Sequence, residues 1–200
     1  MISNNTISKP EFILASSSIF RKQLLSKILP AFATLTPNID ETFCSGESPQ
    51  QTAIRLAEEK ARALVEKFPA YWIIGSDQVA VCESHILGKP GVKAAAVDQL
   101  RFISGKEVTF HTSVCVLSPG GSSCRSETDI CKVKFKLLTE VQIQRYIVRD
   151  RPYNCAASFK SEAFGIALIE RIIGEDPNAL VGLPLIKLVK ILEQFDINLF

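Results

Sequence analysis

Apolar residues along the chain fall into short runs separated by polar stretches of helical period, and their order predicts the elements. Phe12-Ile13-Leu14-Ala15 reads as a short buried strand. Past Ser16-Ser17-Ser18, Leu24, Leu25, Ile28 and Leu29 share one helical face, so the serines open a helix. Ser48-Pro49-Gln50-Gln51 joins a capping box to a proline at the first helical position. The helix that follows extends to about Phe68, with Ile54, Ala57, Ala61, Leu64 and Val65 as its apolar stripe. Ile73 to Val79 predicts a central strand that runs into a lone carboxylate, Asp77, with Lys89 following in the turn Leu87-Gly88-Lys89-Pro90. Lys93 to Ser104 reads as a helix ended by Gly105. Glu107–Leu117 and Ser126–Leu137 are strand-like runs around Pro119-Gly120-Gly121, a hairpin signal. Thr139 and Gln142 form a second capping box, for a helix to about Arg149. Cys155 to Ile173 alternates as a strand does, and Pro184 to Phe195 closes as an apolar helix. Helices interleave with strands, which predicts an α/β or mixed α+β class around one main sheet.

Composition narrows the function classes. A chain of 200 residues fits one domain or two closely joined lobes with a substantial core. Residues 11–200 read as one domain after an N-terminal segment, 1–10, expected to be flexible. A net charge of +2 gives no electrostatic case for a nucleic-acid polymer as partner. Met1-Ile2-Ser3-Asn4-Asn5-Thr6 lacks the apolar region of a signal peptide, and no apolar run is long enough for a membrane span. The expectation is a cytoplasmic protein. Cys44, Cys82, Cys115, Cys124, Cys131 and Cys155 include no C-x-x-C pair, which with the missing signal argues for reduced thiols. Neither His85 nor His111 stands at zinc-ligand spacing from a cysteine.

Three places carry candidate chemistry. A carboxylate at a strand end with a lysine a short turn away, as in Asp77 and Lys89, suits a site for metal and phosphate; a capped strand end with a solvated Asp is the plain alternative. Ser16-Ser17-Ser18 lies between strand and helix, where free N–H groups and the dipole favour anions, although serines there are also good caps. Arg21 sits in the first helical turn, which disfavours a cation, and on the apolar side; breaking both rules points to function. Lys60 stands at the edge of its helix's stripe, either reaching inward or snorkelling to the surface.

In order and spacing these pieces resemble the Maf family of nucleotide pyrophosphatases. The matching segments are Leu14-Ala15-Ser16-Ser17-Ser18-Ile19-Phe20-Arg21, Asp40-Glu41-Thr42, Ala57-Glu58-Glu59-Lys60-Ala61 and Gly75-Ser76-Asp77. Further along come Gly88-Lys89-Pro90, Ser104-Gly105-Lys106, Ser158-Phe159-Lys160-Ser161-Glu162 and Asn178-Ala179-Leu180-Val181-Gly182-Leu183-Pro184. The resemblance covers about residues 11 to 195. It implies a twisted mixed central sheet flanked by helices, in two lobes with the site between them. It also implies hydrolysis of a nucleoside triphosphate between its α- and β-phosphates, aided by a divalent cation, Mg²⁺ or Mn²⁺. By the resemblance Asp77 is the catalytic carboxylate that accepts the water's proton. Ser16, Arg21, Lys60 and Lys89 contact the triphosphate, Lys160 also binds the substrate, and Glu41 helps Asp77 hold the metal. A homodimer is implied by the resemblance alone.

Three family positions sort the substrate, and here they hold Phe20, Gln78 and Glu162. The dTTP/UTP branch usually has arginine, threonine and glutamine there. The branch acting on 7-methyl-GTP has an aromatic, a glutamine and a glutamate, and this chain resembles it; Cys155 and Asp176-Pro177-Asn178 agree. Methylation at N7 makes guanine cationic, which an aromatic face attracts by roughly 0.5–2 kcal/mol. A Glu162 carboxylate can accept from the guanine N1–H and amine, a charge-assisted pairing that thymine and uracil cannot match. The residues alone also allow Phe20 in the core and Glu162 paired with Lys160. Ile19, Lys22 and Ala157 depart from the family's usual proline, arginine and glycine. The alternatives are a dTTP/UTP pyrophosphatase, or a non-catalytic nucleotide-binding regulator of cell division.

Overall fold

A computed structural model describes residues 11–200; the flexible segment expected over 1–10 lies outside the described residues. The chain runs through β1 (Phe12–Ala15), α1 (Ile19–Leu25), β2 (Ala33–Leu35), α2 (Pro49–Val65), β3 (Trp72–Cys82) and β4 (His85–Ile86). It continues through α3 (Lys93–Ile103), β5 (Glu107–Leu117), β6 (Cys124–Phe135), α4 (Glu140–Asp150), β7 (Ile169–Ile173) and α5 (Leu185–Glu193). Both capping boxes form, Ser48 with Gln51 and Thr139 with Gln142.

The sheet has the order β2-β1-β3-β5-β6-β7, with β4 paired to the end of β3. β1 is parallel to β2 and β3, while the β3-β5, β5-β6 and β6-β7 pairs are antiparallel. From β1 the chain passes through α1 to β2 on one side, then returns through α2 to β3 on the other. The crevice beyond the carboxyl end of β1 is therefore a topological switch point, the place where open α/β sheets bind ligands. β1 stops at Ala15, opposite Gly75, whereas β3 continues to Cys82. From Ser76 to Val79 that edge of β3 has no neighbouring strand among the described residues, because β4 joins only at Val81.

Strand residues alternate between faces. Ile13, Ala15, Ile73, Cys115 and Leu117 pack on Ala57, Ala61 and Leu64 of α2. Phe12, Leu14, Ile74, Val114 and Val116 pack on Leu24 and Leu25 of α1 and on Leu188, Ile191 and Leu192 of α5. At the other end of the sheet, Phe110, Val133 and Phe135 pack with Leu100 and Ile103 of α3 and Ile143 and Tyr146 of α4. These ends form the two lobes.

Four expectations change. Asp77 lies in the middle of β3, opposite Ser113, and not at its end; the strand that ends beside it is β1. Lys60 sits within the buried face of α2 with Leu56, Ala57 and Leu64, not at its edge. α1 stops at Leu25, where the Ser26 N–H turns back to the Lys22 and Leu24 carbonyls, and Leu29 reaches the core from the following turn. Cys155–Ile173 is strand only over its last five residues. Before that it makes 3₁₀ turns at Ala156–Ser158 and Phe164–Leu168. Ala157 and Ser158 have φ of 55° and 53°, a left-handed conformation that no strand contains. Its apolar residues, Ala157, Phe159 and Leu168, are buried by the turns themselves in the α3–α4 lobe.

Candidate active site

The alternation that builds the core also builds the site. Gly75 and Asp77 follow Ile73 on the α2 face, and Gly75 lets the helix come close: a Cβ there would stand 2.0 Å from the Ala57 carbonyl oxygen. One turn beyond Ala57, Lys60 then reaches Asp77, its Nζ donating to Oδ1 at 2.6 Å. The same ammonium is 2.9 Å from Glu41 Oε1. Lys60 and Asp77 side chains are 6% and 10% exposed, Glu41 51%, so a buried ion pair opens to solvent through Glu41. Burial raises the Glu41 carboxyl, but the hydrogen bond and charge of Lys60, with Lys89 and Arg21, together bring it below the ordinary glutamate value. The loop carrying Glu41 is tied to α2 through Arg55, which donates to the Thr42 carbonyl at 3.1 Å and to Glu47 at 2.6 Å.

A cleft of about 590 Å³ opens at the switch point and is lined by Ser16, Phe20, Arg21, Glu41, Lys60, Asp77, Gln78, Lys89 and Glu162, among others. Nine of the ten residues singled out by the sequence thus meet on one surface. Ser16 is buried at the end of β1, and its Oγ accepts from the Ser18 N–H. Ser18 caps α1 by accepting from the Arg21 N–H. α1 has only seven residues, so any anion there depends on first-turn N–H groups and hydroxyls more than on a helix dipole. Arg21 Nε donates to the Gly182 carbonyl at 2.8 Å. Burial lowers the Arg21 pKa while Asp77 and Glu41 oppose the change; a guanidinium keeps its charge regardless.

Lys160 is the exception. It does not line the cleft; its Nζ donates to the Asp150 carbonyl at 2.6 Å, at the end of α4, and lies 5.8 Å from the centre of the Phe20 ring. Phe20 is half-buried rather than in the core, and Glu162 is exposed without an ion pair among the described residues.

Two residues that hold the site in place, Tyr146 and Gln99, carry no sequence signal of their own. Buried Tyr146 accepts from the Lys160 N–H and donates to the Ser158 carbonyl, fixing the turn that precedes Glu162. Gln99 ties the Gly88 turn to the Ser158 turn within one lobe, donating to the Gly88 carbonyl and accepting from Ser158 Oγ. Asp176 accepts from the Asn178 and Ile186 N–H groups, which orders the segment ending at Gly182. The bonds of Tyr146 and Gln99 each reach more than ten residues along the chain, so no local pattern announces them.

The implied metal can be tested against these groups. Two carboxylates converge on one point, and the Lys60 ammonium stands there as a cation. Among the described residues no cluster of three His, Cys, Asp or Glu could hold an ion by itself. That donor set suits magnesium, which takes one or two carboxylates and completes its shell with water and phosphate oxygens; Glu41 and Asp77 fit.

A family model described as Maf-like protein matches residues 11–195, and the chain belongs to the Maf family. Among its relatives, the 7-methyl-GTP pyrophosphatase of Pseudoalteromonas translucida is 48% identical over 190 residues, covering 95% of this chain and 94% of the relative. That of Vibrio vulnificus is 48% identical over 184 residues, 92% of this chain and 94% of the relative. Among solved structures, the Staphylococcus aureus Ham1 protein aligns with a TM-score of 0.46 and 11% identity over 62% of this chain and 71% of that one. No helix among the described residues is long and apolar enough to cross a membrane.

Proposed function

We propose that the protein is a nucleoside triphosphate pyrophosphatase that hydrolyses 7-methyl-GTP to 7-methyl-GMP and diphosphate, keeping a modified nucleotide out of nucleic acids. The observation that carries this reading is a single cleft with the Lys60-bridged Asp77 and Glu41 on one wall and Phe20, Gln78 and Glu162 about it. The names of relatives nearly half identical over almost their full length support it.

Water adds to the α-phosphorus, the bond to the bridging oxygen breaks, and diphosphate leaves. Asp77 takes the water's proton, and Lys60 holds Asp77 in place and supplies positive charge to the phosphates. Arg21 and Lys89 add charge where it develops, the main requirement of such a displacement. Glu41 and Asp77 would hold a divalent cation, which would neutralise phosphate charge and acidify water. At the base, Phe20 offers its face to the cationic ring and Glu162 accepts from the guanine N1–H and amine.

The test is a turnover panel of canonical and methylated triphosphates with Mg²⁺ or Mn²⁺, read as diphosphate release. The expected result is the highest kcat/KM for 7-methyl-GTP; preference for UTP or dTTP transfers the chain to the other branch, and no release from any substrate removes the enzyme reading. Glu162→Gln is expected to lower kcat/KM for 7-methyl-GTP about 10–100-fold, the span of a charge-assisted hydrogen bond, and UTP turnover much less. An equal loss on both would detach Glu162 from base selection.

A further inference from the structure

We propose that Thr112 is a positioning residue for base selection, fixing the Gln78 side chain so that it presents only a hydrogen-bond acceptor to the base. The inference rests on the reading of the cleft as a nucleotide site and adds a residue to it. Gln78 continues the second face of β3, after Ile74 and Ser76, and meets the backbone before Gly182. Its Nε2 lies 3.0 Å from the Ala179 carbonyl, 3.2 Å from the Leu180 carbonyl and 3.0 Å from Thr112 Oγ1. Carbonyl oxygens only accept, so the nitrogen must face them; the flipped amide would set Oε1 against two carbonyls.

Thr112 removes the remaining freedom. It is fully buried on β5, and its one proton goes to the Ala179 carbonyl at 3.0 Å. Its lone pair is left for Gln78, which makes the hydroxyl an acceptor toward the amide. Both Gln78 protons are then used within the protein, and Oε1, on a residue lining the cleft, makes no hydrogen bond among the described residues. With the Glu162 carboxylate the base therefore meets two acceptors. Guanine answers with adjacent donors, its N1–H and its amine; uracil has a single N–H between two carbonyls.

Thr112→Val keeps the shape and removes the hydroxyl. We expect the ratio of kcat/KM for 7-methyl-GTP over UTP to fall about 3–10-fold, the span of one neutral hydrogen bond, through KM more than kcat. Thr112→Ser should restore it. An unchanged ratio, an equal fall on both substrates, or failure of Thr112→Ser to restore it would overturn the proposal. A second measurement is independent of substrate and of the valine variant's folding. In ¹⁵N spectra of the unsubstituted protein the Gln78 NH₂ pair should be protected from solvent exchange, and rapid exchange there also overturns it. If 7-methyl-GTP is not turned over while the NH₂ pair is protected, the fault lies with the proposed substrate and not with Thr112.

Discussion

Asp77→Asn is expected to lower kcat for 7-methyl-GTP about 10²–10⁴-fold, the usual contribution of a positioned acid or base, with nucleotide binding retained. The amide keeps the shape of the carboxylate and an oxygen for Lys60 but cannot take up a proton. The structure also says why the variant should fold. Removing one partner of a buried ion pair costs about 3–5 kcal/mol when the other charge is left alone. Here Lys60 keeps Glu41 at 2.9 Å, on a carboxylate half open to solvent, so the ammonium retains a partner. Steady-state diphosphate release and calorimetric binding together separate the outcomes. A kcat within twofold of the unsubstituted protein would make Asp77 structural, whereas lost binding with a normal melting curve would assign it to holding substrate.

Three charged residues of the cleft were legible in the residues themselves because each breaks a local rule, whereas Glu41 and Glu162 were legible only through the family resemblance. Arg21 is a cation at a helix start, Lys60 a cation near an apolar stripe, and Asp77 a carboxylate inside an apolar run. Local rules do not reveal how deeply such a residue is placed. A stripe through Ile54 and Val65, both only half-buried, puts Lys60 at its edge; the face that packs carries Thr52, Ala53 and Leu56 instead. Asp77 looked like a strand end because a buried carboxylate normally stops a strand, and here an ammonium from another element lets the strand run on. β2 went unseen because its three residues are exposed or half-buried and pair mainly through backbone. The turns on either side of Glu162 imitate a strand because apolar side chains dipping into a lobe through tight turns can also recur at every second position. What stayed hidden is of one kind. Thr112, Tyr146 and Gln99 are ordinary residues whose roles exist only once distant segments meet.

Gly75→Ala is expected to be the most damaging single-carbon change, lowering stability by about 2–4 kcal/mol and Tm by about 5–15 °C. The added carbon would stand 2.0 Å from the Ala57 carbonyl oxygen and 3.1 Å from both the Ala57 carbonyl carbon and the Ala61 nitrogen. All three are helix backbone, so no rotamer change relieves the clash, and α2 must move off the sheet. Backbone strain is not the cause, since Gly75 does not have a positive φ. The helix that moves carries Lys60, and the strand it moves from carries Asp77. A shift of about 1 Å between catalytic groups can cost 10²-fold, so kcat/KM should fall by about that factor even at a temperature where the variant is fully folded. Gly88→Ala is the matched control for Tm, because a Cβ there meets nothing within 4 Å. If Gly75→Ala melted with the control and kept its activity, close packing of α2 on β3 would not be what sets Lys60 against Asp77. If it lost stability but not activity when cold, the ion pair would have to be formed by the side chains alone, independently of how near the helix lies.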